Sequence, residues 1–147
     1  MKYGSAYFSA QKETLRSARA VVPRIAEMVQ PRSVVDVGCG IGVWLSGFVE
    51  LGVTDIIGVD GAYVPRDLLV IPQDRFRAAD LTQPLQLGRT FDVALSLEVA
   101  EHLPGEVAGA FVASMTSLAP VVIFSAAIPI QGGRGHVNEQ WQTYWAA

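Results

Sequence analysis

Leu15, Ala18, Val22, Ile25 and Val29 recur at steps of three and four, which places them on one side of a helix that needs a covering surface. Pro23 falls inside this run, so a kink or two consecutive helices are expected there. From residue 34 the period changes. "VVDV" is a short β-branched stretch between turn signals, the pattern of a strand buried on both faces. Residues 42–51 read as a helix closed by Gly52 in a left-handed backbone position. Four further apolar runs predict strands over 55–60, 75–80, 91–97 and 120–127. Between the last two, Val107, Phe111, Met115 and Leu118 mark the inward side of a helix that begins near Pro104, a residue well placed in a first turn. The connection from Asp60 to Arg75 carries Pro65 and Pro72, which leaves room for one helical turn around residues 66–69. Strand and helix alternate, the order that builds a parallel sheet with helices on both faces and right-handed crossovers. No internal repeat or low-complexity tract interrupts it.

Composition bounds this picture. A chain of 147 residues that is 50% hydrophobic has the size of one domain with a real core. The single cysteine, Cys39, cannot form an internal disulfide, and no leading or internal apolar stretch has the form of a signal peptide or membrane span, so a cytoplasmic protein is expected. The charged fraction of 17% is low for a soluble domain, which predicts that some surface meets a partner or a further piece of chain. Charge is also uneven. Residues 1–32 carry Lys2, Lys12, Arg16, Arg19, Arg24 and Arg32 against Glu13 and Glu27, a net of +4, within a total of −3. A solvated helix face explains the basic segment better than a nucleic-acid surface, although nucleic acid stays open as a substrate.

The candidate chemistry starts at "VVDVGCGIGVWL", residues 34–45. Glycines at 38, 40 and 42 stand directly after the first strand, at the sheet edge where ligands of such folds bind. Val43 occupies the place of the third glycine in a dinucleotide fingerprint, so G-x-G-x-x-G is absent. Asp36, beneath the turn, suits an ammonium better than a pyrophosphate. Asp60 ends the second strand, where an acid can accept from ribose hydroxyls. Asp80 ends the third and can accept from an exocyclic amine such as that of adenine. Each acid alone also reads as a loop cap.

Four segments in register, "VVDVGCGIG", "GVDG", "AADLT" and "FDVALSLEVAEHL", resemble the motifs of class I S-adenosylmethionine-dependent methyltransferases over residues 34–127. The resemblance implies a Rossmann-like, doubly wound α/β sheet and methyl transfer from S-adenosylmethionine to an acceptor, a small molecule being favoured. It implies that Gly38, Cys39 and Gly40 line the methionine part, with Asp36 and Gly42 completing the turn. Asp60 and Gly61 would hold the ribose, Asp80 and Leu81 the adenine, and Leu97 with Glu98 the sulfonium side. The family adds a sixth strand and an antiparallel seventh. Only twenty residues follow Ala127 here, so the expectation is strand order 3-2-1-4-5 without those two, an N-terminal helical segment at 1–32, and a methyltransferase domain at 33–147 that is incomplete at its carboxyl end. The uncovered edge invites a homodimer.

For catalysis, positioning supplies most of what displacement at an activated methyl needs. His102, one turn past the fourth strand, is the candidate base, with Glu98 beside it. Glu98, Glu101, His102 and His136 together resemble the magnesium site of certain methyltransferases, including RNA-end 2'-O-methylating and quinone-biosynthesis enzymes. The same motif occurs in metal-free relatives, and magnesium sites rarely depend on imidazole, so no metal is assigned. Arg134, His136 and Asn138 of "GGRGHVNE" are placed to reach a substrate, Tyr3, Tyr7 and Phe8 to close over the cofactor, and Trp141, Tyr144 and Trp145 to pack. A nucleotide-dependent oxidoreductase using NAD, and a binding module without turnover, are the alternatives.

Overall fold

The computed structural model describes residues 14–146. In chain order its elements are α1 (Thr14–Val29), β1 (Ser33–Val37), α2 (Val43–Glu50), β2 (Asp55–Asp60), β3 (Phe76–Ala78), β4 (Val93–Leu97), α3 (Ala108–Leu118), β5 (Val121–Ser125) and α4 (Gln142–Trp145). The five strands form one sheet in the order β3-β2-β1-β4-β5, every pair parallel, with Val35 opposite Ile57 on one side and Ala94 on the other. This is the expected Rossmann-like order.

β1 is buried along its whole length. Its side chains alternate between two cores. Val34 packs with α1 and α2, whereas Val35 and Val37 pack with α3 and α4. Asp36 therefore shares the face of Val34, the face that α1 and α2 cover. Ala18, Val22 and Ile25 are the buried stripe of α1, with Leu15 and Val29 half-buried beside them, as the periodicity predicts. Val22 lies against Gly47, where a Cβ would meet it at 3.2 Å, so the small residue sets how closely α1 approaches α2.

Three details differ from the sequence reading. Pro23 does not divide α1, which runs unbroken through it. The proline and Arg19, whose carbonyl loses its helical donor, both lie on the exposed side, where water can satisfy the carbonyl. β3 is only three residues long. No helix joins β3 to β4. Instead Leu81, Leu85 and Leu87 in that connection pack onto the α3 side of the sheet, and the Ser114 hydroxyl accepts the Leu85 amide at 3.0 Å. The single turn predicted at 66–69 is present as a 3-10 turn over Arg66–Leu68. No helix among the described residues is long and apolar enough to cross a membrane.

Candidate functional site

The strand order reverses between β1 and β4, so their carboxyl ends part and leave a crevice. A cavity of about 480 Å³ opens there on the α1 face. Gly38 and Cys39 of the turn after β1, Val43 and Trp44 at the start of α2, Leu97 and Glu98 at the end of β4, and Ile123 and Ser125 of β5 form its walls, with Thr14, Val21 and Ile25 of α1 above. Its volume suits a small ligand.

The glycine turn gains close approach. Gly38, Gly40 and Gly42 have φ of 87°, 55° and 87°, a region that L side chains rarely adopt. At Gly38 the constraint is double, because a Cβ would overlap the Val99 side chain. The turn can thus lie directly against the segment after β4 and keep its backbone at the cavity wall.

Two buried acids stand behind this turn and differ in what they do. Asp60 is 5% exposed and accepts three hydrogen bonds: the Gly40 amide on Oδ2 at 2.7 Å, and the Gly61 amide at 2.6 Å and Tyr63 hydroxyl at 2.7 Å on Oδ1. It is the clasp that shapes the turn. Three of about four carboxylate acceptor positions are filled from inside the chain, which leaves one open to a further donor. Asp36 is 1% exposed and its Oδ2 has no hydrogen-bond partner. Burial, and second the nearby Asp60 charge, push its carboxyl up to about 8. An ammonium delivered to this oxygen would satisfy it and restore its charge. Burial likewise keeps the Cys39 thiol well above its ordinary range, so it stays neutral.

Glu98 also meets the cavity. Its φ of 57° is unusual for a residue with a side chain, a strain of about 1–3 kcal/mol that the surroundings must hold. Its amide donates to the Ser125 carbonyl at 3.0 Å and its Oε1 accepts the Ser125 hydroxyl at 2.8 Å. Of the predicted residues, then, Gly38, Cys39, Leu97 and Glu98 line the cavity. Gly40 and Gly61 are tied to Asp60, Asp36 is buried without lining the cavity, and Gly42 packs over Ile71. Asp80 is exposed, with Oδ1 accepting the Thr82 amide and hydroxyl at 2.9 and 2.7 Å, which hold its carboxyl below the usual range. Leu81 is half-buried in the second core.

His102 is not among the cavity's lining residues. Its Nδ1 donates to the Gly135 carbonyl at 3.1 Å, and it groups with Glu101 and His136, each offering a ligand atom within 4.8 Å of the others. Burial raises the Glu101 carboxyl above its ordinary value. In "GGRGHVNE" only Arg134 is fully exposed of the three residues expected to reach outward. His136 and Asn138 turn inward, the latter 5% exposed. Trp145 packs on Phe124 with ring centres 5.4 Å apart, as expected, whereas Trp141 is exposed. Tyr3, Tyr7 and Phe8 lie outside the described residues. The sequence reading missed Tyr63 and Ser125, which hold Asp60 and Glu98. Tyr63 carried a local signal, an aromatic hydroxyl three residues past the acid that ends a strand.

The parallel order, the crevice at its reversal and the glycine turn before α2 define a Rossmann-like α/β domain with a cavity at the carboxyl edge of its sheet. The chain belongs to the methyltransferase-domain family, which it matches over residues 10–146. It is similar to a ubiquinone biosynthesis O-methyltransferase from Methylobacterium nodulans, 31% identical over 55% of this chain and 34% of that protein. Among solved structures, Streptomyces venezuelae DesVI superimposes with a TM-score of 0.66 at 23% identity, covering 89% of this chain and 61% of its own. The S-adenosylmethionine-bound amino pentose methyltransferase CalS10 of Micromonospora echinaspora gives 0.65 at 24% identity, covering 94% and 65%. The chain thus spans about a third of the curated relative and about three fifths of the first structure.

Proposed function

We propose that this chain binds S-adenosylmethionine across the turn at residues 38–42 and takes part in transferring its methyl group to a small-molecule acceptor. The observation that carries the reading is the cavity at the β1/β4 reversal, walled by backbone at Gly38 and by Glu98, with the unpartnered Asp36 oxygen buried behind it. Family membership supports the reaction class. The sugar methyltransferase among the similar structures supports a small acceptor.

When bound, S-adenosylmethionine supplies a methyl on a positively charged sulphur, which an acceptor lone pair displaces in line while the sulphur keeps the electron pair. Gly38 and Gly40 bring backbone within reach of the methionine portion. Asp36 receives the ammonium, and Asp60 holds the turn in shape and offers its remaining lone pair to the ribose. Asp80 and Leu81, at the far side of the sheet edge, flank the adenine. Leu97 and the aliphatic lining from α1 exclude water. Glu98, fixed by Ser125, faces the acceptor and takes up the proton it releases. His102 stands outside the cavity lining, so Glu98 is the stronger candidate base.

Parallel calorimetric titrations with S-adenosylmethionine and with NAD test this. Saturable binding of the first and none of the second is expected. Binding of NAD alone would make the chain a nucleotide-dependent oxidoreductase fold instead.

A further inference from the structure

The cavity beside the glycine turn is lopsided. Its described walls come from the turn after β1 and from α2, β4, β5 and α1, and none comes from the carboxyl ends of β2 or β3. In the order β3-β2-β1-β4-β5, those two strands lie on one side of β1 and β4 with β5 on the other. Asp60 and Asp80 therefore stand apart from the enclosed volume, whereas Ile123 and Ser125 of β5 border it. A nucleoside held at those two acids leaves the volume toward β5 unclaimed.

The chemistry of this half is specific. Val21, Ile25, Leu97 and Ile123 give it branched apolar walls. Val21 is 43% exposed and off the buried stripe of α1, and the cavity gives that apolar residue a use. Trp44 adds an aromatic wall, and an indole face attracts ammonium groups. Glu98 is the one charged side chain among the described lining residues, with no lysine, arginine or histidine beside it in that lining. Its Oε1 accepts the Ser125 hydroxyl at 2.8 Å, whereas no described residue donates to Oε2. The Glu98 amide also donates to the Ser125 hydroxyl, at 3.2 Å. One serine thus fixes both the backbone and the side chain of a residue held at a φ of 57°, and one carboxylate oxygen is left for a ligand.

An anion in this half would meet a like charge with no cation to offset it. A polyol would leave hydroxyls against apolar walls without partners. An ammonium finds a carboxylate and an indole, and an apolar skeleton finds the branched side chains. We propose that the β5 half of the cavity is the acceptor subsite, that it takes an amine carried on a small apolar skeleton, and that Ser125 is the positioning residue that holds Glu98 for the nitrogen. The methyl donor in this proposal rests on the cofactor reading above. As the ammonium gives one proton to Glu98, the freed nitrogen lone pair forms the C–N bond, and the C–S bond breaks with its electron pair left on the sulphur. Glu98, which is exposed, passes the proton to water. The two cations thus yield a methylated ammonium, a neutral thioether and one proton.

The test titrates the full chain with benzylamine, benzyl alcohol and benzoate, probes that share a ring and differ in charge, alone and with saturating S-adenosylhomocysteine, while backbone amide resonances are followed. Benzylamine should bind at about 1 mM, shift Leu97, Ile123 and Ser125, and stay bound beside S-adenosylhomocysteine. Benzyl alcohol should bind about 10-fold more weakly, and benzoate about 100-fold or more. Glu98→Gln should remove the amine's advantage of about 10-fold over the alcohol, the scale of a charge-assisted hydrogen bond, and leave the alcohol's own affinity unchanged. Ser125→Ala should remove part of that advantage and Ser125→Thr, which keeps the hydroxyl, should retain it, a split that a purely structural role would not give. Benzoate binding as tightly as benzylamine, an amine preference unchanged in Glu98→Gln, or displacement of benzylamine by S-adenosylhomocysteine would each overturn the proposal. Failure of S-adenosylhomocysteine to bind while the amine preference persists would instead remove the cofactor reading and leave the selectivity of the subsite standing.

Discussion

Asp60 and Glu101 are both buried carboxylates at the carboxyl edge of the same sheet, and they stand in opposite states. Asp60 receives three donors from its own chain; Glu101 receives none at its side chain. The first is finished structure, since its bonds to Gly40, Gly61 and Tyr63 shape the turn whatever occupies the crevice. The second is an acid whose backbone carbonyl holds the loop at 137–138, while its buried side chain has no hydrogen-bond partner. Asp36 lies between them, adjacent to a clasp but with one oxygen unpartnered. Hydrogen bonding therefore distinguishes three carboxylates that burial alone would not.

The largest expected effect comes from breaking the finished member. Asp60→Ala strands the buried Gly40 amide and releases the turn, so denaturant unfolding should show a loss of roughly 3 kcal/mol, and titration should show S-adenosylmethionine binding abolished with it. A loss of binding at unchanged stability would mean that Asp60 serves only the ligand.

The intermediate case gives a pH dependence. In the unfolded chain Asp36 ionises near its ordinary 3.8, whereas in the fold it keeps its proton to about 8. Between these values the unfolded state binds fewer protons, so stability falls as pH rises through this window and levels off above it. Urea midpoints measured from about pH 5 to pH 8 should show this decline in the unaltered chain and a flatter profile in Asp36→Asn. An identical slope in both would remove Asp36 as its source.

The smallest effect is expected at the unsatisfied acid. Glu101→Met replaces an unpartnered carboxylate with an apolar chain of similar length, so the unfolding free energy from urea titration should stay level or rise by about 0–1 kcal/mol. A loss as large as that of Asp60→Ala would show that Glu101 has internal partners after all.

Much of the fold was readable in sequence because it rests on local period. The β-branched run at 34–37, the α1 stripe and the inward side of α3 each carry their pattern within one element. The turn at 38–42 was readable for the same reason, since glycine spacing and the acids at strand ends lie in contiguous segments. What escaped depends on contacts between distant residues. The helix-free crossing from β3 to β4 is set by Leu81, Leu85 and Leu87 finding α3. The inward turn of His136 and Asn138 comes from bonds to the segment at 101–102, with 33 residues separating His102 from Gly135. Tyr63 on Asp60 is local, yet its choice of partner required the turn to be built.

The central claim, that the backbone at Gly38 to Gly40 holds the cofactor, is tested most directly by following amide resonances during a titration with S-adenosylmethionine. Shifts should concentrate at Gly38, Cys39, Gly40, Leu97 and Glu98, while Gly133 and Gly135 beside His136 stay in place. A saturable titration that leaves the glycine turn unmoved, or that moves the loop at 133–138 instead, would contradict it.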